Sequence, residues 1–314
     1  MTARRKRSYD ILCAGELLID FISTDFAENL DDVSNFKRLA GGSPANLCMN
    51  MSRLGNRTKL VASVGNDDLG QYLYQLVEDT GVDCRQLLKV NVPTSLILVT
   101  RSKTVSNFQP YRAADFEINE AQFPANIFEE LSLFHTTCFG LSHEPAKSSI
   151  MHAARKASAS GCQLSIDINY ASKIWPDQAE AQALIAAYCA LGAIVKVSEV
   201  DWERLYNSPL ADPTQAVDHF LALGATEVCV TLGDKGCFVA NTKERFSLEA
   251  RKIEVKDTTG AGDAFWSGYL TAWLDGFGPL PCAKAGRNMA ELKLGHFGQL
   301  PSKVDKSEIL KNIL

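Results

Sequence analysis

Asp257-Thr-Thr-Gly-Ala-Gly-Asp-Ala-Phe-Trp-Ser-Gly268 is the stretch on which the reading of this chain turns. Gly260 and Gly262 permit a tight turn. An apolar helical pattern follows at once through Ala264, Phe265, Gly268, Tyr269, Ala272 and Trp273. A turn that opens straight into a helix presents free backbone N–H groups and the positive end of the helix dipole at residues 260 to 263. That arrangement suits a phosphate or another oxyanion, with Gly260, Ala261 and Gly262 as the expected anion hole. Asp263 falls in the first helical turn beside it. A carboxylate there can take the proton of an alcohol that attacks a bound phosphate. An aspartate at a helix start also complements the dipole with no ligand involved. The complete string, following a strand-like Lys252 to Val255, favours the chemical reading.

Upstream of this stretch the chain alternates. Leu133 to Phe139 reads as a strand, Pro145 to Ser160 as a helix and Gln163 to Ile168 as a strand. Asp177 to Leu191 reads as a helix, Ala193 to Val197 as a strand, Glu199 to Tyr206 and Pro213 to Leu223 as helices, and Glu227 to Leu232 as a strand. Strands rich in Val, Ile, Leu and Cys between helices predict a parallel sheet covered on both faces. Asp25 to Leu39 and Ser95 to Arg112 break the alternation. Ser95 to Thr100 and Ser106 to Tyr111 read as an antiparallel pair, a small β lid. The expectation is one α/β domain over 1–314, with lid segments near 22–40 and 93–117.

Two more strings place chemistry near the lid. Gly41-Gly-Ser-Pro-Ala-Asn-Leu-Cys-Met-Asn-Met-Ser-Arg-Leu-Gly55 joins a glycine pair to a helix start at Pro44. Gly41 and Gly42 allow backbone to approach a ligand closely. Asn46, at the helix entrance, can bond a ligand hydroxyl or serve as a local cap. Gly15-Glu-Leu-Leu-Ile-Asp20 is read as part of the first strand, with Glu16, Leu18 and Asp20 on one face. A carboxylate at the carboxyl end of such a strand lies where α/β proteins bind ligands, and Asp20 can accept from two sugar hydroxyls.

Other classes are disfavoured. The 314 residues carry a net charge of −5, with 46% hydrophobic and 22% charged residues, which is ordinary globular usage and unlike a basic nucleic-acid binder. The basic cluster Arg4-Arg5-Lys6-Arg7 reads as a solvated tail. The longest uncharged run, Ala181 to Val195, is shorter than the roughly 20 residues of a membrane helix. Nine cysteines without a CxxC, several inside apolar runs, fit a reduced cytoplasmic home and no zinc site. Gly65 to Gln71 has P-loop glycine spacing, but Gln71 stands where lysine must be. No GxGxxG follows the first strand, and no HRD or DFG string occurs.

In these residues the chain resembles the ribokinase/PfkB family of sugar kinases, over most of its length and in family order. Asp257 to Gly268 is similar to the C-terminal signature and Gly41 to Gly55 to the N-terminal one. The resemblance implies a three-layer αβα ribokinase-like fold with a mainly parallel sheet and a small β-sheet lid. It implies ATP as co-substrate, Mg²⁺, a monovalent cation as an open question, and a homodimer through the lid as another. Asp263 matches the general base, and Asp20, Gly41, Gly42 and Asn46 the sugar contacts. On the nucleotide side it implies Lys196, Ser198, Thr231, Gly233, Gly236 and Asn288. Asp201 would act on the metal through water, although Ser198-Glu-Val-Asp201 stands where the family often has Asn-x-x-Glu. In Asp167-Ile-Asn-Tyr-Ala171 an alanine replaces the family arginine, leaving Arg112 as the cation expected at the sugar. The expected function is ATP-dependent phosphorylation of a primary sugar hydroxyl, fructose first. Alternatives are 2-keto-3-deoxygluconate, another sugar or a nucleoside, and, in another class, a catalytically weak sugar- or nucleotide-binding relative.

Overall fold

A computed structural model of the protein describes residues 7–101, 107–296 and 298–314. The chain runs β1 (Tyr9–Ala14), β2 (Leu18–Phe26), β3 (Phe36–Gly41), α1 (Ser43–Arg53), β4 (Thr58–Gly65), α2 (Asp68–Asp79), β5 (Asp83–Val90), β6 (Leu96–Arg101) and β7 (Phe108–Tyr111). It continues through β8 (Leu131–Thr137), α3 (Ala146–Ala159), β9 (Gln163–Ile168), α4 (Gln178–Cys189), β10 (Ile194–Ser198), α5 (Glu199–Tyr206), α6 (Pro213–Ala222) and β11 (Glu227–Thr231). It closes with β12 (Cys237–Asn241), β13 (Arg245–Leu248), α7 (Ala261–Leu274), α8 (Pro279–Leu294) and α9 (Lys306–Ile309).

The large sheet has the order β13-β12-β11-β10-β9-β8-β1-β4-β5. From β5 to β11 every neighbour is parallel, and β12 and β13 add antiparallel at one edge. The inner strands are buried on both faces, the edge strands β5 and β13 only in part, and the side chains divide by alternation. In β1, Leu12 and Ala14 join the core under α3 to α6, while Ile11 and Cys13 join the core under α1, α7 and α8. All nine cysteines are buried among the apolar core residues. Among the described residues no helix is long and apolar enough to cross a membrane.

The small sheet has the order β3-β2-β6-β7, with β2 and β6 parallel and both outer strands antiparallel to their neighbours. It begins at Leu18, ahead of the boundary expected at residue 22. Two readings are corrected here. The run from Tyr9 to Asp20 is not one strand: β1 ends at Ala14 and Asp20 lies in β2 of the small sheet. Gly15 makes the break at φ 150°, and a Cβ there would meet Pro44 Cγ at 2.7 Å, a fit only glycine allows. The second correction is Lys252 to Val255, which forms no strand. Ile253 and Val255 are exposed, so their alternation has no apolar surface to cover. Arg4 to Lys6 and Ser106, named above, lie outside the described residues.

Candidate active site

The carboxyl ends of the parallel strands gather the polar groups, as the switch of chain direction in such sheets requires. Gly42 precedes α1 at φ 103°, and a Cβ there would meet Glu16 O at 2.3 Å. A Cβ on Gly41 would meet Asp20 Oδ2 at 2.2 Å. The glycine pair thus lets the Asp20 carboxylate lie directly on the backbone that enters α1. Glu16 is buried and braces the same entrance. Its carboxylate accepts from Ser43 N at 3.1 Å and from Thr137 Oγ1 at 2.9 Å. Burial pushes Glu16 up to about 8, against the Thr137 hydrogen bond.

The start of α7 meets the start of α1. Gly260 caps α7 at φ 73°, in the left-handed region glycine adopts without strain. Asp263 sits in the first turn and accepts from Ser43 Oγ at 2.7 Å and from Asn46 Nδ2 at 2.9 Å. Asn46 therefore caps nothing; it orients the carboxylate. Burial pushes Asp263 above the ordinary carboxylate range, while the two donated hydrogen bonds pull it back. Burial and then the Asp263 charge push Asp20 up to about 7.

Lys196 closes the turn from the other side. It is buried in the middle of β10, beside Asp167 of β9, and donates to both carboxylate oxygens of Asp167 at 2.8 Å. A Cβ on Gly262 would lie 3.5 Å from Lys196 Nζ, so the ammonium stands against the turn. Burial works against the charged lysine, but Asp167, Asp201 and Asp263 outweigh it and hold its pKa above the ordinary value. Asp201 forms a capping box with Ser198: its N–H bonds Ser198 Oγ at 3.0 Å, and Ser198 Oγ donates to its Oδ2 at 2.5 Å. Burial and then Asp167 push Asp201 up to about 6. Thr231 pairs with Ser198 across β10 and β11 and leads into a turn through Gly233 and Gly236. Gly236, at φ 100°, is required there because a Cβ would meet Leu248 O at 2.0 Å.

Two expected residues are placed differently. Arg112 is almost wholly buried and its guanidinium is committed. Its Nε donates to Asp115 at 2.8 Å, its Nη1 to Ser142 Oγ at 2.6 Å and its Nη2 to Phe139 O at 3.3 Å. Asn288 bonds Ile309 O at 2.9 Å and accepts from Arg251 at 3.1 Å, which ties α8 to the C-terminal segment. Sequence reasoning assigned no role to Ser43, Glu16 or Asp167. A charge inside an apolar strand was the available signal for Asp167, as it was for Asp20.

A parallel αβα sheet carrying a small second sheet, with a helix-start anion turn beside a held carboxylate and a lysine, defines a phosphoryl-transferring sugar kinase. The model of the pfkB family carbohydrate kinases matches residues 8–305, and the chain belongs to that family. It is a phosphotransferase acting on an alcohol group. It is 33% identical over 294 residues to the ATP-dependent 6-phosphofructokinase of Thermoanaerobacterium thermosaccharolyticum, covering 94% of this chain and 90% of that one. It is 33% identical over 269 residues to the probable fructokinase-3 of Arabidopsis thaliana, covering 84% and 78%. Among solved structures, a sugar kinase from Pyrococcus horikoshii in complex with ATP superposes with a TM-score of 0.83 at 26% identity, covering 97% of this chain and 100% of that one. That complex supports ATP as the phosphoryl donor. The fructokinase of Halothermothrix orenii superposes with a TM-score of 0.76 at 28% identity, covering 93% and 100%.

Proposed function

We propose that the chain phosphorylates fructose at a primary hydroxyl with ATP. The observation that carries this reading is Asp263, fixed between Ser43 and Asn46 at the mouth of the α7 turn with Lys196 on its far side. Asp263 takes the hydroxyl proton as the oxygen attacks the terminal phosphorus. Its raised pKa suits a base that must hold that proton. The N–H groups of residues 260 to 263 and the Lys196 ammonium take up the charge that develops on the phosphoryl oxygens. Asp20, Gly41 and Gly42 are positioned to receive sugar hydroxyls. Closure of the small sheet would exclude water. Mg²⁺, when bound, would neutralise phosphate charge. Asp201 fits a role through water, since only its Oδ2 is used by Ser198. Phe26 and Tyr111, exposed on the small sheet, support pairing of two copies there.

Cation placement favours a neutral sugar. Arg112 is spent on Asp115 and Ser142. Lys173, two residues beyond Ala171, donates to Asn107 Oδ1 and Phe108 O, both at 2.8 Å. Ala171 packs beside Leu18 and Phe139 and offers no charge. A second reading has fructose 6-phosphate as acceptor; the Thermoanaerobacterium relative favours it. The deciding experiment is ADP release with fructose, fructose 6-phosphate and 2-keto-3-deoxygluconate at matched concentrations. The highest kcat/KM with fructose supports the first reading. A preference for the phosphorylated sugar replaces it with the second. ATP and sugar binding without turnover on any sugar of a wider panel would contradict catalysis altogether.

A further inference from the structure

Lys293, near the end of α8, is almost wholly buried and lies outside the steps described above. Its ammonium donates to Asp257 Oδ2 at 3.3 Å and to His296 O at 3.4 Å. Asp257 opens the loop that becomes the anion turn. Its Oδ1 accepts from Thr259 N at 3.0 Å and its Oδ2 from Gly298 N at 3.2 Å. A Cβ on Gly260 would lie 3.8 Å from Lys293 Cε. One carboxylate therefore joins the loop before α7 to the loop after α8, and one ammonium sits at the joint. Lys293, Asp257, Thr259 and Gly260 line a common pocket.

The charge balance shows what this ammonium does. Asp257 is held below the ordinary carboxylate range: burial opposes this, but the Thr259 and Gly298 N–H groups and the Lys293 charge prevail. It is therefore an anion three residues from the turn that must receive phosphate. Unneutralised, it would repel an incoming phosphate and loosen the two loops from each other. The tethered ammonium offsets that charge, and its stem runs beside Gly260. Two acceptors, Asp257 Oδ2 and His296 O, face its three donor hydrogens.

We propose that Lys293 is a positioning residue. It acts as a covalently attached cation that holds the anion turn in shape, and it makes turnover independent of any dissolved monovalent cation. The inference rests on the reading of residues 260 to 262 as the phosphate turn. If it holds, removing the side chain leaves a space bounded by a carboxylate and a carbonyl oxygen, which a small cation can enter.

The test is ADP release with Mg²⁺, ATP and the best sugar, in a choline-based buffer titrated with KCl, NH₄Cl or, for ionic strength, choline chloride. The wild type should not respond to any of the three. Lys293→Met should lose turnover by roughly tenfold or more, the scale of a lost electrostatic contact, with little change in sugar KM. KCl or NH₄Cl should restore several-fold of that loss, and choline should not. Lys293→Arg, which keeps the charge, should stay active and cation-independent, and it serves if the methionine variant does not fold. Activation of the wild type by KCl overturns the proposal. So does full turnover in Lys293→Met, a loss that neither cation repairs, or an inactive folded Lys293→Arg. Gly262→Ala reports on the turn alone: full turnover there removes the phosphate role of residues 260 to 262, whatever the cation arms show.

Discussion

Asn46 Nδ2 donates to Asp263 Oδ2 at 2.9 Å, tying the first turn of α1 to the first turn of α7. Ser43 Oγ bonds the other oxygen of the same carboxylate at 2.7 Å. Both donors belong to the glycine-pair segment, so the piece that enters the sugar end also aims the base.

Asp263→Asn should cut turnover by about two to four orders of magnitude, the usual worth of general base catalysis. The amide can still occupy the helix start, and the Ser43 hydroxyl can rotate to accept from it. Folding, followed by thermal melting, and ATP binding should change little. Near wild-type turnover would remove Asp263 from the base role.

Ser43→Ala deletes a hydrogen bond that holds the Asp263 carboxylate in its charged form. The base should then ionise only at higher pH. The acid limb of kcat/KM, already above the ordinary carboxylate range in the wild type, should move further up. An unchanged limb would mean that another group sets it.

Asp20 is pushed up to about 7 by burial and by Asp263. A carboxyl whose pKa is raised by folding stabilises the protein below its unfolded pKa, and that contribution is lost as pH rises through the folded value. Asp20→Asn should therefore gain stability over the wild type at pH 8, on the order of 2 kcal/mol, and gain little at pH 4. Sugar affinity should fall in the same variant. Melting curves at the two pH values decide the first half, and sugar KM the second.

Gly262→Ala separates stability from function. A Cβ there meets nothing closer than Lys196 Nζ at 3.5 Å, and alanine is the better helix residue by roughly 0.5–1 kcal/mol. Melting should stay level or rise. The new methyl would occupy anion space in front of Lys196, so turnover should drop. A stable variant with full activity would argue against phosphate at this turn.

Arg112 is predicted to matter first for folding. Asp115 is buried beneath it, and removing one partner of such a pair costs about 3–5 kcal/mol. Arg112→Met should unfold at markedly lower temperature. Ala171→Arg should raise kcat/KM for 2-keto-3-deoxygluconate more than for fructose, because it adds the fork that a carboxylate wants. An equal effect on both sugars would place residue 171 away from the acceptor.

Much of this protein was legible in its residues. Strand and helix alternation from Leu133 onward follows from short-range propensity and apolar period, and helix Glu199–Tyr206 falls where the pattern puts it. The turn at Gly260 to Asp263 was equally plain, because a glycine turn before an apolar helix is a local arrangement. Tertiary contact decided the rest. Gly15 to Asp20 reads as part of the first strand, yet the chain breaks at Gly15, where only glycine fits against the sequence-distant Pro44, and Asp20 falls in the small sheet. Ser43 and Asn46 became partners of Asp263, and the Arg112 guanidinium met Ser142 Oγ and Phe139 O, only when the chain closed. Composition and period report what each segment can bury; they carry no information about which distant donor meets which carboxylate. For Asp263 that pairing is set by the packing of α1 against α7.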